Sequence, residues 1–135
     1  MLDGLPSRIL LAATVNESGL VERLKDPKPL PQGIIDRAQA AITLHGNGKI
    51  IAAQVRASSG PLAMFDDAVV LFRATEEVET AAIGTLAICR TYDGEQMIVK
   101  IERARKTGEA RVVTVTGKTK ELTLQTAAPV LAIIP

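Results

Sequence analysis

The sequence predicts a mainly β domain of short strands and hairpins carrying an irregular N-terminal arm. Three observations lead there. From residue 50 onward, short runs rich in Val, Ile and Leu recur along the chain, each about the length of one strand. Turn signals separate them, above all Asp93-Gly94, where glycine supplies the positive φ that a tight hairpin turn needs. Hydrophobic residues make up 47% of the 135 and aromatics only 2%, so the core is aliphatic and large enough to fold without staples.

The elements follow in order. Residues 1–7 read as a loose end with a turn at Asp3-Gly4-Leu5-Pro6-Ser7, and residues 8–15 as a short buried strand. Asn16-Glu17-Ser18-Gly19 punctuates that strand. Pro27, Pro29 and Pro31 fall within residues 25–33, which predicts an extended, non-helical connection. A short helix is expected across 34–41. The arm therefore covers 1–49 and the β domain 50–135. Strands are expected at 50–55, 68–72, 85–90, 97–102, 111–116, 122–125 and 130–134, with further turns at Gly108 and Gly117. Residues 75–80 form a polar, acidic connection.

Composition narrows the function. Sixteen basic and 15 acidic residues leave a net charge of +1, no footprint for nucleic acid, and the scarcity of rings removes a stacking platform for single strands. The densest basic run, Arg103-Ala104-Arg105-Lys106, reads as a solvated strand end. Cys89 is the only cysteine and lies in an apolar run, so it reads as a small core residue and no intrachain disulfide is possible. One histidine, His45, beside Gly46-Asn47-Gly48, is too little for a transition-metal site. No metal or other cofactor is expected. No apolar stretch reaches the length of a membrane span and no signal-peptide layout appears, so the chain reads as cytoplasmic.

Two segments carry chemistry. Ser58-Ser59-Gly60-Pro61 precedes the acidic couple Asp66-Asp67, and downstream Lys100 stands inside the apolar run Met97-Ile98-Val99-Lys100-Ile101. A serine hydroxyl becomes a nucleophile when a base removes its proton, and lysine serves once apolar surroundings favour its neutral form. Glu102, on the same strand face, would instead hold that lysine charged. Adjacent acids on extended backbone point opposite ways, so Asp66 and Asp67 do not read as an acid/base pair.

The ordering resembles the C-terminal domain of LexA and the phage repressors, a family of self-cleaving Ser-Lys peptidases that includes UmuD. Ser58-Ser59-Gly60-Pro61 stands for its Ser-Met-x-Pro segment, Asp66-Asp67 for its Gly-Asp, and 68–72 for the strand that follows. Thr75-Glu76-Glu77 matches its acidic connection, Asp93-Gly94-Glu95 its turn, Ile98-Val99-Lys100-Ile101 its lysine strand, and 129–134 its final strand. The resemblance covers roughly residues 8–135. It implies Ser58 as nucleophile, with Ser59 as the alternative, and Lys100 as base. The family cuts itself at an Ala-Gly or Cys-Gly bond before the serine. This chain has neither dipeptide, and Ser18-Gly19 is the nearest substitute.

Several family residues differ. Arg56-Ala57 replaces the Gly-Asp before the serine, and Ser59 replaces the Met after it. The resemblance thus implies a regulatory and dimerisation domain of a repressor acting in an SOS-type response, with a Ser-Lys site either live or degenerate. Alternatives are a stand-alone polymerase accessory protein of the UmuD kind or a non-enzymatic small β-barrel interaction module. A homodimer through the apolar strand 130–134 is expected. DNA contact would need a helix-turn-helix domain, which the proline-rich first 40 residues do not supply, so the chain reads as a domain cut from a longer protein or a stand-alone relative.

Overall fold

A computed structural model describes residues 9–45, 49–105 and 107–135, without the side chain of His45. The expected turn at Asp3–Ser7, the loop Gly46-Asn47-Gly48 and Lys106 lie outside these residues. Strands account for 53% of the structure. They are β1 (Leu10–Val15), β2 (Val21–Pro29), β3 (Ile50–Val55), β4 (Val69–Arg73), β5 (Leu86–Thr91), β6 (Gln96–Ala104), β7 (Glu109–Thr114) and β8 (Thr119–Ile134). Two short helices, α1 (Gln32–Arg37) and α2 (Gln39–His45), lie between β2 and β3. The sheet order is β2-β1-β3-β4-β8-β5-β6-β7, with β8 also pairing β7. All pairs are antiparallel except β1 with β3.

The arm differs from its expected irregular form. Leu10↔Pro29 and Val15↔Val21 make β1 and β2 a hairpin, and β1 runs on into the sheet beside β3. Proline removes a ladder donor, which an edge strand can tolerate, and β2 is the first strand of the order. The same reasoning applies at the other end. Residues 122–125 and 130–134 belong to one long strand, because Pro129 sits at a change of partner, opposite Ala87 of β5, while Val130 begins the pairing with β4.

Alternation along the strands sorts their side chains into three clusters. Ala53 and Val55 of β3, Val70 and Phe72 of β4, Ile88 of β5 and Ile98 of β6 meet in a central cluster. Their neighbours point the other way: Ala52, Val69 and Leu71 pack beneath α1 and α2 with Ile50 and Ile134. Ala87, Cys89, Val99 and Ile101 pack with Val112 and Leu124. Strands covered on both faces must be apolar at every position, which is why β4 reads as the continuous run Val69-Val70-Leu71-Phe72. Each such side chain contributes about 1.5–3 kcal/mol on leaving water.

Candidate functional site

The serine loop is fixed by the chain on either side of it. Arg56 N–H donates to the Val15 carbonyl at 2.8 Å, and Asp67 N–H donates to the Val55 carbonyl at 2.9 Å. Between them Asp66 Oδ1 accepts from the buried Ala57 N–H at 3.0 Å, while Asp67 Oδ1 pairs with Arg56 Nη1 at 2.6 Å. The two acids thus hold separate partners and clamp the base of the loop. Asp67 does so at φ 70°, a left-handed conformation that aspartate tolerates better than most residues. Gly60, at φ 76°, then turns the chain into a 3-10 helix over Pro61–Phe65.

Ser58 is exposed, and its partner is Glu17. Glu17 Oε1 accepts from the Ser58 backbone N–H at 3.2 Å and from Ser58 Oγ at 3.3 Å. Hydrogen bonds from Glu17's own backbone N–H, then from the Ser58 N–H and hydroxyl, hold this carboxyl below its ordinary value of 4.5. Sequence reasoning missed Glu17 because it read residues 16–19 as a turn and a cleavage point, with no partner for the Glu17 side chain. The signal was Asn16, whose side-chain oxygen accepts from Ser18 N–H at 2.9 Å and Leu20 N–H at 3.1 Å and so shapes the tip.

That tip also rests on β6. The Ile98 N–H donates to the Gly19 carbonyl at 2.8 Å, and Leu20 bridges Met97. Gly19 has φ 82°, and a Cβ there would stand 3.0 Å from Val115 Cγ2 and 3.4 Å from Ile98 Cγ2. Glycine is therefore required both by its backbone and by the close approach. Below lies an apolar hollow of about 360 Å³, lined in part by Val15, Leu62, Leu86 and Ile98, with Pro61 and Phe65 contributed by the serine loop.

Lys100 stands two residues beyond Ile98 on the same face of β6, opposite Leu86 of β5. It is exposed, so the apolar surroundings expected from its sequence neighbours do not enclose it: Val99 and Ile101 point into the other cluster. Glu102 is turned to a different partner, Arg111 Nε at 3.3 Å, where a bulge between Ile101 and Arg103 re-aims the strand. Among the described residues Ser58 and Lys100 share no hydrogen bond, and Ser59 is exposed. The Ser58 loop and the lysine strand both line the hollow, through Pro61, Leu62 and Phe65 and through Ile98, but Ser18, Gly19, Ser58 and Lys100 are not in its lining. Among the described residues no group of His, Cys, Asp and Glu is placed to hold a metal ion. None of the described helices is long and apolar enough to cross a membrane.

No protein-family model, curated protein or solved structure matches the chain.

Proposed function

We propose that this chain is a repressor-type regulatory and dimerisation domain that cleaves its own Ser18-Gly19 bond, held at rest by Glu17. The observation that carries this reading is the docking of the 16–19 turn against both Ser58 and β6, through Glu17 and the Gly19 carbonyl. Tethering the substrate beside the nucleophile raises its effective concentration enough for a weakly activated serine to react.

In the proposed reaction Lys100 Nζ, as the free amine, takes the proton of Ser58 Oγ, which attacks the Ser18 carbonyl carbon. The Ser18–Gly19 C–N bond breaks as the lysine ammonium returns the proton to the leaving amine, and water then hydrolyses the ester. The Ser58 N–H is a natural donor to the oxyanion, and in the resting arrangement Glu17 occupies it. Glu17 must therefore let go before the bond is cut.

Dimerisation draws support from β8. Val130–Ile134 pairs β4 along one side, and among the described residues no strand takes the other. A second copy would add there as an antiparallel neighbour. Intact-mass spectrometry after alkaline incubation tests the cleavage. Fragments 1–18 and 19–135 are expected, and an uncut chain after days would count against it. Sedimentation tests the dimer, which a 14.3 kDa species at all concentrations would exclude.

A further inference from the structure

A second cavity, of about 880 Å³, opens further along β5, its lining beginning at Ile88, two residues from Leu86 of the apolar hollow. Its floor is a polar rung across three strands. Arg90 of β5 is paired in register with Thr126 of β8 on one side and Gln96 of β6 on the other, and all three line the cavity. The row is unusual for its donors. Arg90 Nε is shut off from solvent with no hydrogen-bond partner among the described residues. Thr126 is only 5% exposed, and no hydrogen bond engages its hydroxyl among the described residues.

A guanidinium has five donors and no acceptor, and withdrawing one from water without an acceptor is costly. Thr126 and Gln96 can both add donors beside it. The neighbouring charges do not supply the missing acceptor. Glu79 pairs through Oε1 with Arg73 at 3.3 Å and keeps its Oε2 buried without a partner among the described residues, but it does not line the cavity, while Glu76 and Glu77, which do, are exposed. Arg23 faces the same space from β2 and adds positive charge. Phe72 and Ile88 give the cavity an apolar wall.

We propose that this cavity binds a small molecule bearing a carboxylate or phosphate group. The oxyanion lies against Arg90, Thr126 and Gln96, and the apolar body of the ligand runs along Phe72 and Ile88. Bidentate pairing with a planar guanidinium suits both groups. The volume falls in the range of small-molecule sites, and the Phe72, Ile88 and Thr126 part of its lining is buried. The site is separate from Ser58 and stands whether or not the chain cleaves itself.

The test is NMR observation of the arginine side-chain Nε–H signals of the full chain. Inorganic phosphate and benzoate are titrated separately at constant ionic strength. A saturable shift of the Arg90 signal with phosphate alone assigns a phosphate group, with benzoate alone a carboxylate, and with both an oxyanion of either kind. Thr126→Val is expected to weaken binding about tenfold, read from the same signal. Arg90→Met keeps the side-chain stem, removes the unpaired guanidinium and is expected to abolish binding, read from backbone amide shifts of Gln96 and Thr126. No saturable shift with either anion would overturn the proposal. So would undiminished binding in Thr126→Val, which tests the site even if Arg90→Met fails to fold.

Discussion

One carboxylate oxygen of Glu17 accepts both the backbone N–H and the hydroxyl of Ser58, tying a hairpin tip to a loop 41 residues away in sequence. The contact has a definite pH dependence. The Glu17 carboxyl is held below its ordinary 4.5, so the stability it contributes is fully present above that value and is lost as pH falls through the folded-state value. Urea unfolding of the native chain and Glu17→Gln from neutral pH downward should show the difference between them shrinking in that acid window. A constant difference would mean that the carboxylate charge is not what Ser58 holds.

Gly19→Ala should be costly. Alanine would have to adopt φ 82° and place its Cβ 3.0 Å from Val115 Cγ2, and the loss is expected to be about 1–3 kcal/mol. Chemical denaturation measures it. Gly94→Ala is a control for backbone strain without crowding, because its φ is 90° and nothing lies within 4 Å of the added Cβ.

The acidic couple has a structural part that two substitutions separate. Asp66→Ala leaves the N–H of Ala57, a residue 2% exposed, without its acceptor and should cost about 1–3 kcal/mol. Asp67→Ala breaks an ion pair between exposed side chains, worth at most about 1 kcal/mol, and puts alanine at φ 70°. Denaturation midpoints of both variants check the assignment of Asp66 as the clamp on the serine loop.

Cys89 should be inert in the native state. Burial pushes its thiol up to about 12, and the side chain is closed off among Ala87, Val99 and Ala127. Reaction with a thiol-specific chromogenic reagent near neutral pH is expected only at the rate of unfolding. Fast labelling of the folded chain would contradict the packing described for β5.

The strands of the β domain were legible because each carries its own signal. The Val69–Phe72 run and the Asp93-Gly94 turn need no distant partner to be read. The N-terminal hairpin was not, because the prolines of β2 argue locally for loop and only its edge position in the sheet makes a strand there tolerable. The candidate site divides the same way. The segments named by the ordered pattern around Ser58 and Lys100 each contribute to the apolar hollow, through Pro61, Leu62 and Phe65 and through Ile98, but Ser58 and Lys100 are not in its lining. The exposure of Lys100 and the grip of Glu17 on Ser58 depend on which way side chains point from separate strands. Spacing along the chain carries no such information.

The central claim is that Ser58 and Lys100 cut the Ser18-Gly19 bond, and its most direct measurement is intact-mass analysis after incubation at about pH 10, where lysine approaches its free amine. The native chain is expected to yield fragments 1–18 and 19–135, as is Ser59→Ala, and Glu17→Ala to yield them faster because the Ser58 N–H and hydroxyl are released. Ser58→Ala and Lys100→Ala are expected to remain whole. A native chain that stays uncut over days, or a Lys100→Ala chain that is still cut, would contradict the account.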